Sequence, residues 1–116
     1  MYNKDYERVL EFMKNAAEFS KDYDNMLRCQ KNVDQFQRAQ AWECLQDMIQ
    51  EYWTQIDFFG GLFDGIKVFR NVNPNTVSDA QIQAQLSYIA RHIPAYLLLR
   101  KGEEELAKKI YNGINK

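Results

Sequence analysis

The chain has 116 residues, of which 46% are hydrophobic, 14% aromatic and 27% charged, with a formal net charge of −1. Disordered chains are poor in aromatics and rich in net charge, so this balance excludes an unfolded segment and points to one domain with a core of its own. With two cysteines and one histidine, the chain lacks the four Cys/His ligands that a structural zinc site needs.

The first apolar stripe runs through Tyr2, Tyr6, Val9, Met13, Ala16, Ser20, Tyr23 and Leu27. Steps of three and four mark one face of a helix. A first helix is therefore expected from about Asn3 to about Arg28, with any interruption near Asp22–Asp24. The polar run Gln30-Lys31-Asn32 reads as a break, with Asn32 or Asp34 as N-cap of the next helix. That second helix follows Phe36, Ala39, Trp42, Leu45, Ile49, Tyr52, Ile56 and Phe59, flanked by Ala41, Cys44, Met48 and Trp53. So broad an apolar arc predicts the central helix of the fold. It should end at Gly60-Gly61, where two glycines favour a turn over a helix.

Leu62 to Arg70 is expected as a short helix or an irregular apolar connection, and Asn71–Asn75 as a turn. Ser78-Asp79-Ala80-Gln81 has the form of a capping box opening a helix through Ile82, Leu86, Ile89, Ala90 and Ile93. Pro94 predicts a kink or restart, with Ala95–Leu99 buried nearly all round. Gly102 followed by three glutamates marks a last helix, with Leu106, Ile110 and Ile114 inward and Gly113 at its end. The fold class expected is all-α: a single compact bundle of four to five helices over residues 1–116, with a Gly/Phe-rich connection near 58–65.

The start of the chain is charged where a secretory signal needs an apolar core of about 7–15 residues, and Ile93–Leu99 is too short to span a bilayer. A cytoplasmic protein with reduced Cys29 and Cys44 and no membrane contact is the expectation. Chemistry is poorly provided for. His92, beside Pro94, is expected at a helix surface or end. A Cys–His nucleophilic pair is permitted by composition, but no spacing brings the two together. The glycines match neither a phosphate loop nor a dinucleotide fingerprint. No catalytic residues, cofactor or metal are expected.

Charge is unevenly spread: residues 1–60 carry 7 basic and 11 acidic side chains, residues 61–116 carry 8 and 5. Glu43, Asp47 and Glu51 stand at i, i+4 and i+8, an acidic column on the second helix. Like charges at that spacing cost roughly 0.2–0.5 kcal/mol per pair. Such a column either meets a basic partner or is neutralised by a basic neighbouring helix. Phe58, Phe59, Leu62 and Phe63 flank the glycines and must be covered by the chain or by a partner. These seven residues are the candidate partner-binding set. The function expected is a non-enzymatic protein-interaction module, an adaptor, inhibitor or assembly factor of a bacterium, phage or mobile element. Its partner would be a protein, basic in charge, or a second copy of the chain. The alternative is a nucleic-acid-linked regulator, acting as a charge mimic through the acidic helix or binding directly through the basic C-terminal helices. A sequence pI of about 5.8 argues against direct nucleic-acid binding.

Overall fold

The computed structural model describes residues 4–60, 66–70 and 72–114, and in them the chain is an all-α bundle with no strand. Six helices appear in chain order: α1 (Lys4–Asn15), α2 (Ser20–Asp34), α3 (Arg38–Glu51), α4 (Trp53–Phe58), α5 (Asp79–Arg100) and α6 (Glu104–Ile114). Short 3₁₀ turns at Ala17–Phe19, Lys67–Phe69 and Pro74–Thr76 join them. A radius of gyration of 13.7 Å is that of a compact domain of this length.

The central element is α5, and not the Phe36–Phe59 helix that the breadth of its apolar arc predicts. Ile82, Leu86, Ile89, Ala90 and the whole run His92–Leu97 are buried along it. It packs against α1, α2, α3, α4 and α6. From His92 to Leu97 every position is buried, so this stretch is enclosed on all sides, while Gln81, Ala84 and Arg91 face solvent. Pro94 lies inside it without a restart: one helix runs from Asp79 to Arg100. Surrounding helices hold the segment where the lost backbone bond would otherwise favour a break.

More helices form than the sequence periodicity predicts, because each of the two long N-terminal stripes is divided. The first breaks at Ala16, whose backbone is extended, and not near Asp22–Asp24. Phe19 lies outside the apolar stripe, and the break turns it into the core against Phe12, at 5.1 Å between ring centres. The second breaks at Tyr52. Arg100 donates to the Glu51 carbonyl, the group that an uninterrupted helix would give to the amide of Gln55.

The expected break at Gln30–Asn32 is absent. Gln30 donates to Asp34 at 3.0 Å and Asn32 donates back to the Arg28 carbonyl at 3.0 Å, so these polar side chains are satisfied within α2. The helix ends only at Gln35, and Asn32 and Asp34 lie inside it. Gln37 is the N-cap of α3, without a side-chain capping bond.

The C-terminal half follows its local signals closely. Ser78 Oγ accepts from the Gln81 amide at 3.2 Å, and Gln81 Oε1 accepts from the Ser78 amide at 2.8 Å, completing the capping box. Arg38 donates to the carbonyls of Pro74 and Val77 and to Asp79 Oδ1, tying this turn to the start of α3. At the other end of α5, Gly102 adopts φ 80° while its amide bonds Leu99 O at 3.1 Å and that of Glu103 bonds Leu98 O at 3.0 Å. These two bonds form a Schellman motif, and the left-handed backbone is why glycine stands there. Gly60 likewise has φ 88°, closing α4. Of the segment expected as a helix over Leu62–Arg70, residues 62–65 lie outside the described residues; Lys67–Phe69 form a 3₁₀ turn.

Replacing Ser78 by alanine removes one half of the capping box. Urea denaturation is expected to show a loss of about 1 kcal/mol with an unchanged m-value.

Candidate functional site

The acidic column lies where α3 meets α2. Asp47 Oδ2 accepts from Arg28 Nη2 at 3.0 Å. Glu51 is paired with Lys21 at 3.0 Å and with Arg100 at 3.1 Å. Glu43 is exposed and belongs to none of the ion pairs among the described residues. Two of the three carboxylates are thus engaged by cations of the chain itself, and this offsets the repulsion along the column.

The Glu51 end of the column is the more tightly built. Arg100 leaves the end of α5, stacks over the Tyr52 ring at 4.5 Å and reaches Asp22 Oδ1 at 3.4 Å as well as Glu51. Tyr52 is fully buried; its hydroxyl donates to Asp22 at 2.8 Å and accepts from Asn25 at 3.0 Å. Burial, with the Asp22 carboxylate beside it, pushes the phenol well above its usual range. The Lys21 ammonium, with help from Arg100, holds the Glu51 carboxyl below its ordinary value of 4.5. Next to this network a cleft of about 540 Å³ opens between α2 and α3, walled by Lys21, Asn25, Arg28, Asp47 and Glu51. Its charges are mixed and mutually paired.

The aromatic candidates separate into opposite roles. Phe59 is stacked on Tyr111 at 4.3 Å with the rings 3° from parallel, and lies 6.1 Å from Tyr96. Phe58 is 44% exposed, edge-on to Phe59 at 5.2 Å. Lys108 approaches it at 5.8 Å. Leu62 and Phe63 lie outside the described residues. Nearby, the Trp53 ring is approached by Lys67 at 4.1 Å and Arg70 at 4.3 Å, and Lys67 also pairs with Asp57 at 2.5 Å.

His92 is not at a helix surface or end. It is fully buried in the middle of α5. Its ring lies 3.8 Å from that of Tyr88 at an angle of 15°, with Tyr111 edge-on at 5.1 Å. Nδ1 lies 2.7 Å from the Tyr88 carbonyl, which can only accept, so Nδ1 carries the hydrogen. Tyr88 and Tyr111 join through their hydroxyls at 2.8 Å. The spacing Tyr88, His92, Tyr96 at i, i+4 and i+8 is the sequence signal for this column; proximity to Pro94 obscures it.

The two cysteines, 15 positions apart, are also brought together. Both are fully buried in the same core cluster, Cys29 on α2 and Cys44 on α3. Among the described residues no group of three or more His, Cys, Asp or Glu side chains is arranged to hold a metal ion. No described helix is long and apolar enough to cross a membrane. Comparison with protein-family models, characterised proteins and solved structures gave no match.

The Glu51 geometry implies a pH-dependent contribution to stability. A carboxyl whose folded value is depressed stabilises the fold above its ordinary value, and the effect fades as pH falls from 4.5 through the lower folded value. Glu51→Gln is expected to lose about 1 kcal/mol at pH 7, where this partly exposed pair is screened. Its deficit relative to the parent should shrink below pH 4.5. Urea titrations at pH 7 and pH 3 measure both.

Proposed function

We propose that the chain is a non-enzymatic protein-interaction module, a small adaptor, inhibitor or assembly factor, whose contact surface centres on Phe58. The observation that carries this reading is the fixed outward placement of Phe58. Phe59, its neighbour, is clamped beneath Tyr111, so the end of α4 has one orientation and Phe58 stays in solvent at 44% exposure. An aromatic anchor held rigidly before binding loses little side-chain entropy on docking. Interface centres are enriched in such residues, and charged side chains form their rim. Here Asp57 and Lys108 supply that rim.

The acidic column contributes less to this surface than its sequence spacing suggests. With Asp47 and Glu51 paired inside the chain, Glu43 is the column member left to face a basic partner. The same internal pairing weakens the nucleic-acid alternative in both its forms. Charge mimicry would use two carboxylates already engaged, and direct binding would use Arg91, Arg100, Lys101, Lys108, Lys109 and Lys116, of which Arg100, Lys101, Lys108 and Lys109 pair with Glu51, Glu18, Glu104 and Asp5. Three of those pairs, all but Lys108–Glu104, also join the basic C-terminal half to the acidic N-terminal half within one molecule, weakening the charge argument for a second copy.

Immobilised protein should retain a specific partner from native lysate. Phe58→Ser should weaken that retention at least tenfold, equivalent to about 1.4 kcal/mol. Phe12→Ser, altering another exposed phenylalanine, should leave it unchanged. Equal retention by both variants, or no specific retention by the parent, would contradict the proposal.

A further inference from the structure

The clefts on either side of Arg28, between α2 and α3, are walled mainly by polar side chains; another cleft is apolar. It has a volume of about 180 Å³ and opens where α1, α2 and α5 meet. Tyr6 and Leu10 of α1, Met26 and Leu27 of α2 and Ala90 of α5 line it, and the exposed Arg91 borders it. Leu27 stays 47% exposed in this setting, so the described residues leave the groove unfilled. Arg91 is the only charged side chain among the described residues of its lining. Its guanidinium donates to Ser87 Oγ at 2.8 Å, one turn back, and belongs to none of the ion pairs among the described residues. An apolar groove bordered by one uncompensated cation is complementary to an apolar group with a carboxylate beside it.

The groove continues along α5. Ala80, Ala84, Ser87 and Arg91 stand at i, i+4, i+7 and i+11, on one face of that helix. Ala80, Ala84 and Arg91 are exposed and Ser87 is half-buried, so this face is open although His92–Leu97 is enclosed. Its three small side chains allow a second helix to approach closely. From Ala80 to Arg91 the track is about 16 Å long, three helical turns at about 1.5 Å per residue. The described residues form no strand, so there is no sheet edge for an extended peptide; a helix laid along the track is the matching mode. A second copy laid antiparallel on the same face would bring its Ala80 to the groove, a side chain too short to fill it.

We propose that this face of α5 seats a helix of about three turns from a partner protein, which places a bulky apolar side chain in the groove and a carboxylate, one turn away, on Arg91. The apolar anchor supplies the cover that Leu27 lacks, and the carboxylate sets the register of the helix along the track. The inference rests on the reading of the chain as an interaction module, and adds a surface that shares no residue with the one around Phe58.

The test selects a phage-displayed library of helices about four turns long, randomised on one face, against the native full-length chain. Recovered peptides are then measured by fluorescence anisotropy. The expected binders share a leucine, phenylalanine or tryptophan with an aspartate or glutamate one turn away. Arg91→Glu and Ala84→Trp, both at exposed positions, should weaken them about tenfold or more with Tm unchanged. Phe58→Ser should leave them unaffected, whether or not a lysate partner depends on Phe58. Replacing the peptide carboxylate by lysine should restore binding to Arg91→Glu. Helices that bind Arg91→Glu and Ala84→Trp as tightly as the parent would overturn the proposal, as would a selection that yields no binder. A parent dimer in light scattering that Ala84→Trp converts to monomer would also overturn it, giving this face to a second copy.

Discussion

A helix apolar on every side can be stable in water only if the remainder of the chain encloses it. α5 imposes that constraint here. Over His92–Leu97 its buried positions occupy all faces, before that Ile82, Leu86, Ile89 and Ala90 form one inward side, and the five other described helices are distributed around it. The divisions of the N-terminal stripes follow from this need for cover. A straight helix over Asn3–Arg28 would lie along one side only; the turn at Ala16–Phe19 lets α1 and α2 cover different parts of α5. The interruption at Tyr52 similarly redirects α4, carrying Phe59 to Tyr96 and Tyr111.

The end of the enclosed helix is secured by charge. Arg100 joins the carbonyl terminus of α3, the Glu51 carboxylate, Asp22 on α2 and the face of Tyr52. An arginine suits this position because its planar donors serve several acceptors while its face packs on an aromatic ring. Lys101 to Glu18 and Lys109 to Asp5 extend the pattern over the surface. The uneven charge of the two sequence halves is, in three dimensions, largely a set of contacts between them.

Elements governed by local chemistry were legible in the sequence. The capping box at Ser78, the glycine at position 102 and the acidic start of α6 each encode their structure within a few residues. Elements decided by long-range contacts were not. Periodicity assigned Phe36–Phe59 to one central helix because the competing Glu51–Arg100 bond spans 49 positions. Gln30, Lys31 and Asn32 resembled a break because their composition does not reveal that Gln30 and Asn32 bond within their own helix. His92 was misplaced through its proximity to Pro94, although the tyrosines four positions away on either side share its face. In the candidate site, the spacing of Glu43, Asp47 and Glu51 was visible, but the cations that engage two of them come from α2 and α5.

The interaction reading rests on α4, part of the shell around α5. If α5 is the enclosed axis, local opening of the shell should leave it protected. Native-state amide hydrogen exchange, resolved by peptide mass spectrometry, tests this directly. Peptides covering Leu86–Leu97 should exchange last, and only through global unfolding, while those covering Lys4–Asn15 exchange earlier. Exchange in Leu86–Leu97 as fast as in Lys4–Asn15 would contradict an enclosed α5 and the organisation built on it.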